Sequence, residues 1–466
     1  MESSQNNNKS NFFDIKDTDF SKWEIEGIPP SWFEKNRKRF IENINLRYSD
    51  LENSAYLVLQ GGKEIPRFDT DVNHYHFFQE SNFFYLTGIR EPDMKAVLDL
   101  KTGEITAFMP IFPEDNKIWM TVRTPEELQD QYGVPFQDEK NLYAFIYNKT
   151  PERLYILIGN NEFSNLPVAY PELDFKDEYE SLNEIISTTS KIYEILCDTR
   201  ARKTNEEYNM LKFVNKITND AHREIMKNIN FGIYERDLEN VFMNYLNKNY
   251  YTRIWAYPCI GGCGCNSATL HYDKNDVQMK QNDLFLADMG IRFCNYCSDV
   301  TQTLPANGKF SQKQKEIYDL VLLANREVQK MMKPNLTTYF DMDKRSRVVI
   351  LEGLQKLGLV NKDIKMEELI EKKVDRVFYP HGLGHFVGLD VHDVGQKVSY
   401  KTERILEPGN LITVEPGIYF IPFLLEKSFA REDLKGILNE ELIRTYFDFG
   451  GIRIEDDVFI LDNTIE

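Results

Sequence analysis

The sequence predicts a mixed α/β (α+β) protein of two domains. Its 466 residues are long for one hydrophobic core and suit two. Residues 30–195 alternate short apolar runs with amphipathic segments, which is typical of an α/β domain. Near residue 197 the pattern changes to long amphipathic helices separated by short strands. We therefore predict an N-terminal α/β domain over 12–196 and a second domain over 197–466.

The first domain contains two predicted helices and five predicted strands. Apolar residues at helical spacing predict a helix over 31–46. Thr124 followed by Pro125 is typical of a helix start and predicts a helix over 124–132. Apolar runs of strand length predict strands over 55–60, 83–87, 95–99, 105–109 and 154–159.

The second domain begins with a long predicted helix. Leu211, Val214 and Ile217 recur every three residues, and the same apolar stripe continues through a segment from 205 to 228. The same criterion predicts further helices over 236–248, 313–331 and 340–357.

Composition and charge exclude several classes of protein. Lys and Arg number 56 against 74 Asp and Glu, so the net charge of −18 argues against binding to nucleic acid or anionic membranes. No apolar run approaches the ~20 residues of a membrane span. Residues 1–11 are polar and lack the apolar core of a secretory signal, which predicts a disordered tail and a cytoplasmic protein.

The six cysteines leave one alternative open. They are too few for a disulfide scaffold at this length. Cys263 with Cys265 and Cys294 with Cys297 offer four thiolates for a structural zinc ion. The first spacing is short for zinc and the interval between the pairs is long, so the sequence favours free thiols.

The segment 379–393 holds three of the seven histidines, His381, His385 and His392. Glycines at 382, 384 and 388 keep the backbone open around them. A single histidine is more often packed in a core or left at the surface. Three together, among small and apolar residues, predict a functional site.

Four acidic residues occur in apolar, strand-like contexts. Asp288 ends the run 284–288, and Asp299 follows eleven residues later across a turn, so two neighbouring antiparallel strands could place both carboxylates on one face. Glu415 lies in the apolar run 412–417, and Glu455 lies in the alternating run 451–458. Each acid alone could equally end a strand or pair with a basic group.

Taken together, these acids predict a metal centre. Four converging carboxylates would repel one another and would largely protonate. Two divalent cations remove that repulsion, with a neutral histidine as a further ligand. Oxygen ligands with one imidazole favour a hard metal such as manganese.

Six C-terminal motifs, in this order, resemble the prolidase family of pita-bread metallopeptidases, which also includes aminopeptidase P and methionine aminopeptidase. The motifs are SATLHY (267–272), LADMG (286–290), SDVTQTLPANGKF (298–310), PHGLGHFVGLDVHDVG (380–395), TVEPGIYF (413–420) and GGIRIEDDV (450–458). Similarity extends to RFDTD (67–71), FFQESNFFYLTG (77–88) and the region of Trp119 and Met120. The resemblance implies an N-terminal creatinase/aminopeptidase P-like α/β domain and a C-terminal pita-bread catalytic domain.

The resemblance also implies roles for individual residues. Two divalent cations, expected to be Mn²⁺, would be bound by Asp288, Asp299, His385, Glu415 and Glu455. The catalytic residues would be Glu415, which carries protons, with His381 and His392 at the substrate. The substrate-binding residues would be His271, Tyr257, Arg453, Lys401 and Trp119, the last reaching a neighbouring subunit.

The implied activity is hydrolysis of the Xaa-Pro imide bond of dipeptides by a hydroxide that the metal pair activates. The implied partners are a small peptide and a second copy of the chain in a homodimer. One departure bears on specificity: Lys401 stands where the family has an arginine that grips the dipeptide carboxylate. The connection 396–407 is also shorter than in eukaryotic relatives, which keeps open an aminopeptidase P that acts on longer Xaa-Pro peptides.

Two further alternatives have a different kind of function. One is a binding module that has lost its activity, which would lack metal ligands, whereas all five are present here. The other is a creatinase-like amidinohydrolase, which shares the fold but is usually without the metal set.

Overall fold

The computed structural model describes residues 18–49, 51–73, 76–395, 397–399 and 402–466. The predicted tail over 1–11 and the substrate-binding candidate Lys401 lie outside the described residues. None of the described helices combines the length and the apolar composition of a membrane span.

A six-stranded mixed sheet forms the centre of the N-terminal half. Its strands are β1 (Ala55–Gln60), β2 (Lys95–Asp99), β3 (Ile105–Met109), β4 (Phe136–Asp138), β5 (Arg153–Tyr155) and β6 (Ile186–Ser187). They lie in the order β4-β3-β2-β1-β5-β6. The first three pair antiparallel as a meander, and β4, β5 and β6 each join a neighbour in parallel. The predicted strands 55–60, 95–99 and 105–109 are confirmed, whereas the strand predicted over 154–159 is present only as β5.

The described residues of the N-terminal half also form six α-helices. They are α1 (Trp23–Glu26), α2 (Pro30–Arg47), α3 (Ser81–Thr87), α4 (Pro125–Tyr132), α5 (Leu142–Asn148) and α6 (Lys191–Ala201). The helix predicted over 31–46 is confirmed as α2. The start predicted at Thr124 is confirmed as well, because its side chain accepts from Glu127 N while the Glu127 side chain accepts from Thr124 N.

The strand predicted over 83–87 is wrong, since these residues belong to helix α3. Every residue of α3 is buried, so the segment shows no polar face to reveal a helical period. Its ends determine its structure instead. The Glu80 side chain accepts from Phe83 N at 2.7 Å, and Gly88 ends the helix with a left-handed φ of 73°.

The C-terminal half contains eight helices among the described residues. They are α7 (Asn205–Asn228), α8 (Glu235–Tyr250), α9 (Gln312–Met331), α10 (Tyr339–Lys356), α11 (Met366–Glu371), α12 (Asp375–Phe378), α13 (Pro422–Phe429) and α14 (Glu440–Arg444). The four long helices that the sequence predicts are confirmed as α7 to α10, each within two residues of its expected ends. Residue 197, the predicted domain boundary, lies inside α6, and the boundary stays a prediction.

Short strands lie between these helices. They are β7 (Ile254–Trp255), β8 (Ile260–Cys263), β9 (Leu284–Asp288), β10 (Ile291–Phe293), β11 (Tyr296–Cys297), β12 (Thr301–Pro305), β13 (Lys397–Ser399), β14 (Thr402–Glu403), β15 (Leu411–Val414), β16 (Gly417–Tyr419), β17 (Gly451–Arg453) and β18 (Asp456–Phe459). Two three-stranded sheets, β12-β9-β8 and β11-β10-β7, and the pairs β15-β18 and β16-β17 position the acidic residues.

The run 451–458 does not form the single alternating strand that the sequence predicts. It divides into β17, which pairs with β16, and β18, which pairs with β15. At the break, Glu455 forms an isolated bridge with Thr301 at the start of β12. This change of partner carries Glu455 to the same place as Asp288, which lies opposite Thr301 in the β9–β12 pair.

Candidate active site

Four buried or partly buried carboxylates meet where these strands end; we call Asp288, Asp299, Glu415 and Glu455 the carboxylate cluster. Asp288 is the last residue of β9, and Asp299 lies just before β12. The Tyr257 hydroxyl lies 2.6 Å from Asp288 Oδ1 and 2.5 Å from Asp299 Oδ1. One hydroxyl has a single proton to donate, so it cannot satisfy both carboxylates.

Glu415 and Glu455 come from the ends of two other strands, β15 and β17. Glu415 follows β15, and the Thr413 hydroxyl donates to its Oε1 at 3.3 Å. The Thr301 hydroxyl donates to Glu455 Oε2 at 2.6 Å. Burial, and then the neighbouring acids, raises the pKa of Glu455 well above its usual value. Burial also raises the pKa of Glu415 to about 7, although His385 and Arg453 oppose it.

A close approach between two segments places His385 among these acids. His385 N donates to Thr413 Oγ1 at 3.0 Å, and Thr413 N donates to His385 O at 2.9 Å. Gly384 permits the contact, since a Cβ there would lie 2.1 Å from Thr413 O. His385 Nδ1 donates a hydrogen bond to Phe386 O at 3.1 Å. In that tautomer Nε2 is the nitrogen that can bind a metal. It lies 3.4 Å from Asp299 Oδ2 and 3.6 Å from Glu415 Oε1.

These donor atoms fit a divalent metal. One ligand atom each from Asp299, His385 and Glu455 lies within 4.8 Å of the other two. Of the remaining acids, Glu415 has Oε1 3.6 Å from His385 Nε2, and Asp288 shares the Tyr257 hydroxyl with Asp299. Carboxylate oxygens with one imidazole nitrogen suit a hard divalent cation. Within the described residues no cysteine joins a comparable group, so the alternative of a zinc site gains no support.

Arg453 provides a positive charge beside the carboxylate cluster. Its Nη2 donates to Asp288 Oδ2 at 2.5 Å, and its Nη1 donates to the Tyr419 hydroxyl at 2.8 Å. The Tyr419 hydroxyl in turn lies 2.9 Å from His381 Nε2. His381 Nδ1 faces Gly382 O at 2.8 Å, so Nδ1 carries the proton and Nε2 accepts from Tyr419. Burial lowers the pKa of His381 to about 3, which keeps the ring neutral.

A cavity of about 690 Å³ opens above the cluster. Ten of the twelve predicted site residues line it: Tyr257, His271, Asp288, Asp299, His381, His385, His392, Glu415, Arg453 and Glu455. The rings of His392 and His385 are 4.2 Å apart. Trp119 does not reach this cavity and is 86 % exposed on the N-terminal half.

Several lining residues were not singled out from the sequence. Tyr419 lies inside the TVEPGIYF motif, which is the one signal that could have pointed to it. Tyr339 comes from the start of α10, where its hydroxyl accepts from Leu383 N at 2.9 Å. Phe163 comes from a loop of the N-terminal half. Neither Tyr339 nor Phe163 belongs to a pattern of charge or spacing.

Comparison with known proteins identifies the family of the chain. The sequence model of metallopeptidase family M24 matches residues 209–462, and that of the aminopeptidase P N-terminal domain matches residues 33–148. The Xaa-Pro dipeptidase of Homo sapiens is 35 % identical over 457 residues, 94 % of this chain and 90 % of that protein. The chain belongs to metallopeptidase family M24.

Solved structures extend the M24 assignment to the fold. Escherichia coli aminopeptidase P with the inhibitor Pro-Leu has a TM-score of 0.77 and 28 % identity, with 94 % of each chain covered. Pseudomonas aeruginosa aminopeptidase PepP has a TM-score of 0.76 and 27 % identity, also with 94 % of each chain covered. The predicted aminopeptidase P-like α/β domain followed by a pita-bread domain is therefore confirmed, as is membership of the prolidase-like metallopeptidases.

Proposed function

We propose that this M24 protein hydrolyses the Xaa-Pro bond of dipeptides in a metal-dependent reaction. The observation that carries the proposal is the convergence of four carboxylates and His385 Nε2 at the floor of a cavity lined by three more histidines. Similarity to the human Xaa-Pro dipeptidase over 94 % of the chain supports the choice of bond.

Two divalent cations, by preference Mn²⁺, would be held by Asp288, Asp299, His385, Glu415 and Glu455. When bound, they supply positive charge that lowers the pKa of a water molecule and polarises the scissile carbonyl. The Phe386 carbonyl supports this binding, because it holds the proton of His385 on Nδ1 and leaves Nε2 as a ligand.

Glu415 is the proposed carrier of the proton. Its carboxylate lines the cavity beside the other proposed ligands, and a carboxylate in that place can accept a proton from water and give it up again. It would take the proton of the attacking water on a carboxylate oxygen and deliver it to the prolyl nitrogen. The leaving nitrogen requires this delivery because the imide has no N–H of its own.

The two outer histidines have different proposed roles. Both nitrogens of His381 are engaged, with Gly382 O and the Tyr419 hydroxyl, so His381 orients Tyr419 and Arg453. His392 lies beside His385 at the cavity and is the better candidate to donate to the oxygen of the scissile carbonyl. His271, Tyr257 and Arg453 complete the proposed set of substrate-binding residues among those described.

Three further parts of the proposal concern the assembly, one substrate contact and the cellular location. We propose a homodimer in which the exposed Trp119 contacts the partner's site, since within its own chain this ring is 86 % exposed. Lys401 stays a proposed contact for the substrate carboxylate, and the cytoplasmic location stays a prediction.

Aminopeptidase P activity is the second candidate. Solved structures of similar fold include aminopeptidases P, and a cavity of about 690 Å³ leaves room for more than two residues of peptide. Turnover of Gly-Pro and Gly-Pro-Gly by the manganese-loaded protein separates the two activities, with Asp288→Asn as the control for the metal site. We expect cleavage of Gly-Pro. Cleavage of Gly-Pro-Gly alone would favour aminopeptidase P, and cleavage of neither would reject the proposal.

A further inference from the structure

One short loop of the N-terminal half reaches the candidate active site. Residues 160–167 close on themselves through the bridge between Asn160 and Pro167, and we call this segment the 160–167 loop. Among the described residues that line the cavity, Phe163 in this loop is the single one that precedes residue 257. The loop is therefore the direct contribution of the N-terminal half to the cavity wall.

Hydrogen bonds within the loop fix the position of Phe163. The Asn161 side-chain oxygen accepts from Phe163 N at 2.9 Å and from Ser164 N at 3.0 Å. Asn161 N donates to Leu166 O at 2.8 Å, and Asn165 N donates to Asn161 O at 2.9 Å. An asparagine that bonds the backbone amides two and three residues later builds a defined turn, so Phe163 is held at the tip.

The Phe163 ring lies next to two histidines of the candidate active site. Its centroid is 5.1 Å from the ring of His392 and 6.3 Å from the ring of His385. The residue is 37 % exposed, so part of its surface still faces the open cavity. An exposed aromatic surface that is held rigidly beside polar groups is the usual form of a ligand contact.

Two tyrosines also belong to the described lining, and their hydroxyls make polar contacts. The Tyr257 hydroxyl lies between Asp288 and Asp299, and the Tyr339 hydroxyl accepts from Leu383 N. Phe163 has no polar group and offers contact area alone. A prolyl ring bonded through an imide also lacks an N–H and exposes mainly carbon, so apolar contact is the main way to recognise it.

We propose that Phe163 is a specificity-determining residue whose ring forms the wall against which the prolyl ring of the substrate packs. This inference rests on the proposed function, because it names the part of an Xaa-Pro substrate that the residue contacts. It assigns the N-terminal half a direct role in substrate recognition, next to the histidine that contacts the scissile bond.

The test compares Phe163→Ala, Phe163→Leu and the control Leu166→Ala in the full-length, manganese-loaded protein. Leu166 belongs to the same loop, is exposed and does not line the cavity. Calorimetric titration measures the binding of L-proline, and kinetics measure KM and kcat for Gly-Pro and Leu-Pro. Thermal melting shows whether each variant is folded.

We expect Phe163→Ala to weaken L-proline binding by about threefold to tenfold, which corresponds to the loss of one aromatic contact. The KM for Gly-Pro and that for Leu-Pro should rise by the same factor, because the two substrates share the prolyl ring. Phe163→Leu should fall between wild type and alanine, and Leu166→Ala should match wild type.

Other outcomes would overturn the inference in distinct ways. Unchanged proline binding in a folded Phe163→Ala variant would reject the contact. A change confined to Leu-Pro would place Phe163 at the first residue instead, and an equal effect of Leu166→Ala would attribute the change to the loop as a whole. A wild-type protein that binds proline but cleaves neither dipeptide would contradict the proposed function and leave the binding comparison to decide on Phe163.

Discussion

The segment 381–393, which carries three histidines, contacts two groups of charged residues that differ in their balance of positive and negative charge. On one side is the carboxylate cluster, where four acids face one guanidinium, Arg453, and one imidazole, His385. On the other side is what we call the ion-pair cluster, formed by Arg200, Lys203, Asp390 and Asp393. The first has an excess of negative charge, and the second has two charges of each sign.

The charges of the ion-pair cluster are paired with one another within the fold. Arg200 Nη2 lies 2.8 Å from Asp390 Oδ2 and 2.6 Å from Asp393 Oδ1, while Lys203 Nζ lies 2.8 Å from Asp393 Oδ2. Arg200 Nη1 also donates to the side-chain oxygen of Asn82 in helix α3 at 2.6 Å. The cluster thus joins the N-terminal half to the segment that carries His392.

The pKa values of Asp288 and Asp393, one acid from each cluster, move in opposite directions. Burial raises the pKa of Asp288, with Arg453 opposing and Asp299 adding to the rise. Burial acts in the same way on Asp393, yet Lys203 and Arg200 outweigh it and lower its pKa. Buried acids whose counter-charges come from the fold stabilise it, whereas buried acids without enough counter-charge are suited to hold a cation.

The largest expected effect comes from removing one acid of the carboxylate cluster. We expect Asp299→Asn to lose bound manganese and to reduce Gly-Pro turnover by about 10⁴-fold or more, since metal catalysis supplies several kcal/mol at 1.36 kcal/mol per factor of ten. Without metal, the variant should melt at or above the wild-type temperature because a repulsive charge is gone. Metal analysis, kinetics and thermal melting measure the three quantities.

Asp273→Asn is the matched control for Asp299→Asn. Asp273 is exposed and lines the same cavity outside the carboxylate cluster. It should retain its manganese and most of its activity. A metal-free Asp299→Asn protein that melts well below the metal-free wild type would contradict the comparison, because the acid would then stabilise the fold.

The second largest expected effect is the loss of stability when the ion-pair cluster is broken. Arg200 is 2 % exposed, and its removal leaves Asp390 and Asp393 without their shared partner. We expect Arg200→Met to lower the free energy of unfolding of the metal-free protein by about 3–5 kcal/mol in urea, as for other broken buried pairs. The control Arg202→Met removes a partly exposed arginine that pairs with Asp198 and Glu407, and should cost about 1 kcal/mol.

Low pH should also reduce the stability that the ion-pair cluster provides, by less than the Arg200→Met substitution does. The pKa of Asp393 is lower in the folded protein than in the unfolded chain, so its stabilisation is fully present above the unfolded value of about 3.9 and is lost as pH falls through the lowered folded value. Arg200 and Lys203 face Asp393, and Asp390 shares Arg200 with it. In urea unfolding from pH 6 to pH 3, wild type should lose more stability than Asp393→Asn. Parallel curves for the two proteins would contradict this assignment.

These two clusters also show what could be predicted from the sequence. The carboxylate cluster follows from acids in apolar strands, because desolvation requires such acids to have a cation nearby. The ion-pair cluster leaves no such signal, since Arg200 and Asp393 are 193 residues apart and the run around Arg200 looks like a domain boundary. Phe163 escaped prediction for the same reason, because only the tertiary fold brings its loop to His392.

Prediction of single helices and strands from the sequence has the same limit. Helix α7 has an apolar stripe and a capping box at Thr204, so the local sequence indicates both its helical period and its start. Helix α3 is buried on all sides, so its apolar run carries no helical period and was mistaken for a strand. Local signals therefore specify a half-exposed helix such as α7, whereas a fully buried helix such as α3 cannot be told from a buried strand by its apolar run.

The smallest expected change in stability tests whether burial determines the strength of an ion pair. Lys203 lies just before helix α7, 2.8 Å from Asp393, and Lys216 lies within that helix, 3.0 Å from Asp220. The Lys203 side chain is 1 % exposed and that of Lys216 is 65 % exposed. We expect Lys216→Met to change the free energy of unfolding by less than about 0.5 kcal/mol, because water and salt already screen an exposed pair.

Lys203→Met provides the contrast, with an expected cost of about 3–5 kcal/mol, because Asp393 loses a buried partner. Urea unfolding of both variants at low and at 0.5 M salt measures the difference. The small effect of Lys216→Met should disappear in salt, whereas that of Lys203→Met should persist, since buried pairs are screened much less. Equal costs for the two variants would mean that distance rather than burial determines the strength of these pairs, and the distinction between the two clusters would then lose its physical basis.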